Sequence, residues 1–294
     1  MKISEISNNK TSAGYILEPL KQKNIFEIDK QEFIKIFKEK GVIIFRNFNL
    51  NKENIIKFTD LFTSKYANDA LRRTTRLGNK NIHNVDPGIK EMPLHSEASY
   101  SPSWPEIIWF YCNKAPLNSG YTTICDGQRI YKNFRSEIKK FFLENQVIYD
   151  LKIPFQLKQK NIITKIKKRP WHIDYPGVHD CYLNLRTNEV NFKLKRYAVV
   201  KDKYNSELSF VNHLQIILNR DPQVKKIYLE KKNAKFKKIM EEVKKISNEY
   251  IIDISWNNGD LCMINNQRFM HGRRKIHKNE ERDIINIQTL KSSF

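Results

Sequence analysis

A histidine and a glutamate two residues apart, His95 and Glu97 in MPLHSEASYS (92–101), are the pair in this chain best placed to do chemistry. Side chains of an extended segment alternate with period two, so these two point to one side. An imidazole nitrogen and a carboxylate oxygen can then meet at one point and give a divalent metal two cis ligands. A second histidine on that face would leave three coordination positions open, the arrangement that suits non-haem Fe(II) and O2.

Seven histidines limit the choice of that second one. His83 lies upstream, His172 and His179 fall in WHIDYPGVHD, His213 follows Asn212 in SFVNHL, and His277 sits in a charged turn. His271, in NNGDLCMINNQRFMHGRR, follows an apolar run and precedes a glycine. That places it at a strand end, where a rigid scaffold aims a ligand well. On spacing it is the favoured candidate among several.

The elements that must position these residues read as strands interrupted by helices. EIDKQEFIKIFKEKG (27–41) has helical spacing and a stop at Gly41; VIIFRNF (42–48) is a buried strand. NKENIIKFTDLFTSKYA (51–67) reads as a second helix with an asparagine cap. WPEIIWFYCNKAP (104–116) contains a strand, SGYTTICDGQRIYKNF (119–134) runs from strand to helix, and RSEIKKFFLENQ (135–146) is helical. The stretch 221–250 reads as one strongly basic helix, and 259–274 and 282–290 as two strands joined by a polar turn. There is no βαβ rhythm and no glycine-rich phosphate loop. The expectation is a mainly β fold with flanking helices, a sandwich or barrel, in a single domain spanning 1–294.

Composition narrows the classes further. With 40% hydrophobic and 12% aromatic residues in 294, the chain has enough apolar material for a core of its own. Mean hydropathy of −0.63 and the lack of a long apolar run argue against a membrane span. The first residues show no secretory apolar segment, which makes the cytoplasm the expected location. The four cysteines are scattered, three of them in apolar surroundings, and read as small buried hydrophobes. Lys+Arg exceed Asp+Glu by 53 − 32 = 21. The lysines are spread along the chain without a nucleic-acid-binding pattern, so a solvated basic surface is expected. An acidic partner, such as a carrier protein, or a nucleic acid is the alternative.

Three separated segments, in order, resemble the taurine dioxygenase-like (clavaminate synthase-like) branch of the Fe(II)/2-oxoglutarate-dependent dioxygenases. They are FKEKGVIIFRNFNL, HSEASYSPSWPEIIWFYCNKAPLNSGYTTICDGQRIY and WNNGDLCMINNQRFMHGRRKI. The resemblance implies a double-stranded β-helix, or jelly roll, whose cofactors are Fe(II), 2-oxoglutarate and O2. It implies that His95, Glu97 and His271 hold the metal. Thr122 (with Thr123 as alternative) and Arg282 would bind the distal carboxylate of 2-oxoglutarate, which a planar guanidinium can grip with two parallel bonds. Arg273 and Arg274 compete with Arg282 for that task, and Arg273 otherwise supports a loop or touches substrate.

The implied reaction hydroxylates an unactivated C–H bond of a small molecule, an amino acid or derivative, free or carrier-tethered, in specialised metabolism. Desaturation and cyclisation are alternative outcomes of one site. Ser99, Tyr100 and Asn212 are expected substrate neighbours, and 155–182 is a candidate lid suited to a carboxylated substrate. Two departures stand out. The acidic ligand is Glu97 where Asp is commoner in the family, and Asn286 stands where a second arginine is often found.

Overall fold

The computed structural model describes residues 1–21, 24–67, 74–154, 178–184, 186–217, 224–229 and 235–294. Along the chain run β1 (Lys2–Ser7), β2 (Ser12–Glu18), α1 (Lys30–Lys40), β3 (Val42–Phe45), α2 (Ile55–Asp60), β4 (Thr63–Tyr66), β5 (Thr75–Arg76), β6 (Asn79–Asn84) and β7 (Met92–His95). Then follow β8 (Ile107–Lys114), β9 (Thr122–Asp126), α3 (Gly127–Lys132), α4 (Ser136–Glu144), β10 (Gln146–Pro154), β11 (His179–Asn184), β12 (Glu189–Tyr197), β13 (Val199–Lys201) and β14 (Leu208–Phe210). The last third holds α5 (Leu214–Ile217), β15 (Val224–Leu229), α6 (Phe236–Glu249), β16 (Ile252–Asp253), β17 (Leu261–Asn265), β18 (Phe269–Arg273) and β19 (Asp283–Ser292).

The major sheet has the order β1-β2-β3-β17-β8-β19-β6-β5, with β4 also on β19; the minor sheet is β16-β9-β18-β7. Strand alternation explains how they pack. In β8, Ile107, Trp109 and Tyr111 join a core with Phe33, Phe37 and Phe58 of α1 and α2. Ile108, Phe110 and Cys112, on the opposite face, join Ile124 of β9 and Phe269 of β18 in the core between the sheets. The outer face of the minor sheet, with Leu94, Cys125 and Met270, packs on α3, α4, α6 and a third sheet, β11-β12-β10-β15. The result is the expected jelly roll with helices outside.

Local signals were legible where they were strong. Asp29 accepts a hydrogen bond from Gln31 N at 2.9 Å and Gly41, at φ 79°, ends α1. A Cβ at Gly41 would sit 2.6 Å from the Phe269 ring, so close packing as well as φ demands glycine. Three expectations need correction. The helix foreseen over 51–67 shrinks to Ile55–Asp60, because Asn51 turns the chain by accepting from Glu53 N and Asn54 N, and Thr63–Tyr66 pairs with β19. In 221–250, Val224–Leu229 is a strand paired with β10 and the helix begins at Phe236. The segment 259–274 is two strands, β17 and β18, in different sheets. Of the candidate lid, 155–177 lies outside the described residues, and its end enters β11.

Candidate metal centre and 2-oxoglutarate pocket

Neighbouring strands of the minor sheet bring the two histidines together. In the β7–β18 register His271 lies opposite His95, and their rings are 4.3 Å apart, centroid to centroid. Both side chains face the inter-sheet space, since Leu94 and Met270 beside them face the other way. Glu97 Oε2 is 3.9 Å from His95 Nε2 and 3.8 Å from His271 Nε2. One ligand atom from each of the three residues falls within 4.8 Å of the others, the only such group of three metal-ligating side chains among the described residues.

The protonation chemistry suits a ligand. His95 Nδ1–H donates to Pro93 O at 2.9 Å, which leaves Nε2 unprotonated and turned toward Glu97. Burial, and next the neighbouring His213, push the His95 pKa down to about 4, with Glu97 opposing, so its imidazole is neutral at physiological pH. Two imidazoles and one carboxylate are a donor set that fits Fe(II).

The rest of the cavity brings together the two residues expected to grip a carboxylate. Thr122 and Arg282 line it together with Phe110, Arg273 and the three ligating residues. Arg282 Nη2 donates to Thr122 Oγ1 at 3.1 Å, and Trp256 Nε1 donates to the same oxygen at 3.0 Å. With two donors already on that oxygen, the Thr122 hydroxyl proton is left to point at a third group, and the side chain acts as a donor toward the cavity. Arg282 Nε is buried and unbonded, and among the described residues no carboxylate forms an ion pair with the guanidinium. Burial, and then the nearby Arg273, lower the Arg282 pKa to about 10. An anionic ligand would relieve both penalties, and the distal carboxylate of 2-oxoglutarate is such an anion. Thr123 is buried on the adjacent position of β9, and its hydroxyl would stand 2.8 Å from a Cβ at Gly272; it does not line the cavity.

Arg273 supports the loop, as one of its two expected roles has it. It lines the cavity and donates to the carbonyls of Asp86 (2.8 Å), Gly88 (2.8 Å) and Lys90 (3.1 Å), holding the loop before β7. Ser99, Tyr100 and Asn212 lie beside the metal segment and are not among the lining residues. Ser99 is buried, and its Oγ has no hydrogen-bond partner among the described residues. The Tyr100 ring lies 4.5 Å from that of His213, which in turn lies 5.1 Å from His95. Asn212 Nδ2 donates to Ala198 O, its Oδ1 accepts from Leu214 N, and its carbonyl accepts from Ser96 N. Its polar atoms thus hold the backbone under the ligands. Asn286 is buried and bonded to Gln288 and the Trp109 carbonyl, away from the lining.

Sequence reasoning passed over Trp256 and Asn266 as site neighbours, and considered His213 only as a candidate ligand. No spacing rule marks a tryptophan that orients a threonine across 134 residues.

A jelly roll with two histidines on its minor sheet, a glutamate in the turn after one of them and a buried arginine in the same cavity defines the class of Fe(II)/2-oxoglutarate oxygenases. Residues 18–288 match the model of the taurine catabolism dioxygenase TauD, TfdA family, and the chain belongs to that family. It is 22% identical over 270 residues to the dapdiamide synthesis protein DdaC of Enterobacter agglomerans, covering 82% of this chain and 80% of DdaC. Among solved structures it resembles PvcB of Pseudomonas aeruginosa, with a TM-score of 0.63 at 12% identity over 98% of this chain and 90% of the other. PvcB is described as an Fe, α-ketoglutarate-dependent oxygenase from an isonitrile synthetic pathway. AAD-2, solved with Mn(II) and N-oxalylglycine, gives a TM-score of 0.63 at 12% identity over 98% of this chain and 97% of that one. Membership makes the chain an Fe(II)- and 2-oxoglutarate-dependent dioxygenase. No helix among the described residues is long and apolar enough to cross a membrane.

Proposed function

We propose that this dioxygenase, as one catalytic domain, hydroxylates an unactivated C–H bond of a small amino acid or amino-acid derivative in specialised metabolism. The observation that carries the site assignment is the convergence of His95, Glu97 and His271 within 4.8 Å in a cavity whose wall holds Arg282 without a carboxylate partner. In this reading His95, Glu97 and His271 hold Fe(II). Arg282 and the Thr122 hydroxyl bind the distal carboxylate of 2-oxoglutarate. The bound metal and co-substrate supply O2 activation, turning 2-oxoglutarate into succinate and CO2 while one oxygen atom goes to the substrate.

The chain's own part is to bind, orient and keep water out. The Pro93 carbonyl fixes the His95 tautomer, and Trp256 and Arg282 fix the direction of the Thr122 proton. Phe110, 5.2 Å from the His271 ring, gives the cavity an apolar wall. The amino-acid substrate class is supported by Arg273, a second cationic side chain on the lining, and by the biosynthetic settings of the similar proteins DdaC and PvcB. Ser99 and Tyr100 are the candidate substrate neighbours on the far side of Glu97.

The test is an anaerobic titration of Fe(II) and 2-oxoglutarate, followed by the weak visible charge-transfer band of the chelate. A band that disappears in Glu97→Ala supports the assignment; a folded wild type with no band sinks it. Succinate release then screens amino acids and their derivatives for the substrate.

A further inference from the structure

We infer that Asn266 is a positioning residue for the metal centre, whose carboxamide clamps the peptide of Glu97 and so aims the one anionic ligand at the two imidazoles. The inference rests on the reading of His95, Glu97 and His271 as metal ligands.

The need for a clamp comes from the local backbone. Strand β7 ends at His95, and Glu97 stands in the turn that follows. The next residue, Ala98, has φ 50°, a left-handed conformation that a non-glycine residue adopts only when its surroundings impose it. Period-two alternation therefore does not hold Glu97 on the side of His95, contrary to what the sequence pattern predicts. Something outside the turn must.

Asn266 is that element. It is fully buried in the turn between β17 and β18, five residues before His271. Its Oδ1 accepts from Glu97 N at 2.8 Å and from Ser96 Oγ at 3.2 Å. Its Nδ2 donates to Glu97 O at 3.0 Å and to Pro105 O at 2.9 Å. Both amide protons are used, and Oδ1 takes the Glu97 N–H and a share of the one Ser96 hydroxyl proton, so the carboxamide orientation is locked. Its main chain adds two more ties: the carbonyl accepts from Ser96 Oγ at 2.7 Å, and the N–H donates to Glu106 O at 3.0 Å. One residue thus grips both polar groups of the Glu97 peptide while sitting on the turn that leads into the His271 strand. The carboxylate and the distal imidazole are held to a common reference, as the groups behind metal ligands generally do.

Only a carboxamide does this. Aspartate keeps the shape but offers no donor to the Glu97 and Pro105 carbonyls, and alanine takes the side-chain partner from three buried main-chain groups, Glu97 N, Glu97 O and Pro105 O. A merely structural role predicts lower stability without a change in metal binding. The two are separated by Mn(II) affinity of the full chain, read by electron paramagnetic resonance beside the melting temperature, in wild type, Asn266→Asp, Asn266→Ala and Trp104→Phe. Trp104 Nε1 bonds Ser96 Oγ at 2.8 Å and makes no bond to Glu97, so it serves as the control.

Expected is a Mn(II) dissociation constant raised about 10–100-fold in the folded Asn266 variants, with Trp104→Phe within about twofold of wild type whatever its melting temperature. If alanine prevents folding, the isosteric aspartate carries the comparison. A folded Asn266→Asp that binds Mn(II) as wild type does would overturn the inference alone. Wild type without Mn(II) affinity would instead overturn the metal-centre reading, and this inference with it.

Discussion

Replacing Arg282 with methionine should make the ligand-free protein more stable while it weakens 2-oxoglutarate binding, two effects of opposite sign from one side chain. The guanidinium pKa falls from its ordinary value to about 10, first because of burial and then because of Arg273. That difference corresponds to at most about 3 kcal/mol against the charged form, trimmed toward about 2 kcal/mol by partial solvent access. The change also removes the 3.1 Å bond to Thr122, worth about 1 kcal/mol. The net gain for the ligand-free protein is about 1 kcal/mol, or roughly 2 °C in Tm for a chain of this size. Because the folded-state pKa is depressed, the penalty is fully present below about pH 10 and fades as pH rises through it, so the advantage of Arg282→Met shrinks in alkali. Binding moves the other way. Two charge-assisted bonds to a carboxylate, at about 1.5 kcal/mol each or more, make the loss at least about 3 kcal/mol, or about 100-fold in 2-oxoglutarate affinity. Differential scanning fluorimetry with and without N-oxalylglycine, on protein loaded with Mn(II), reads both. A variant that melts several degrees lower yet binds 2-oxoglutarate normally would show Arg282 to be a structural cation and refute the reasoning.

Other changes probe the neighbouring parts. Trp256→Phe removes one of the two donors that orient the Thr122 hydroxyl, and should weaken 2-oxoglutarate binding by roughly 2–10-fold in a charge-transfer titration while metal affinity holds. Gly272→Ala would put a Cβ 2.6 Å from Met92 O, across the strand pair that carries His95 and His271. It should cost about 1–3 kcal/mol by denaturant unfolding and weaken Mn(II) binding together. Arg76, which donates to both oxygens of Asp283, holds that carboxyl below its usual range, with Asn113 helping against some desolvation. The wild type should therefore outlast Asp283→Asn above about pH 4 and lose that advantage as pH falls through the depressed value, seen in acid-limb melting curves. An advantage that instead grew in acid would show the sign to be wrong.

How much was legible depended on whether the signal was local. The β8 run IIWFYC and the Gly41 stop carry their structure in consecutive residues, and each appears where the pattern puts it. Thr122 and Arg282 were legible through the resemblance, and the structure joins them by a hydrogen bond. The long basic stretch 221–250 misled because its helical charge pattern extends past the point where Val224–Leu229 gains a partner in β10; tertiary pairing overrides propensity there. The failure at Glu97 is more instructive. His95 and Glu97 do share a target, yet not by strand alternation, because the strand stops between them and a residue 169 positions away takes over. No pattern within one segment encodes a contact of that range.

The basic character of the chain bears on function in the same way. Net +21 is conspicuous in composition, but much of it sits on exposed lysines that stay hydrated and screened, several of them in surface ion pairs such as Lys2–Glu18 and Lys140–Glu144. Such charges cost little wherever they are placed, and so carry little information about a ligand. Arg273 and Arg282 are different. Both are drawn out of water, both have depressed pKa values caused first by burial, and the second is lowered further by the first. Among the described residues, Arg273 hydrogen-bonds only to backbone carbonyls and Arg282 only to a threonine hydroxyl. An anion bound in that cavity would offset the penalty, which is why two buried arginines say more about this enzyme than the rest of its fifty-three basic residues.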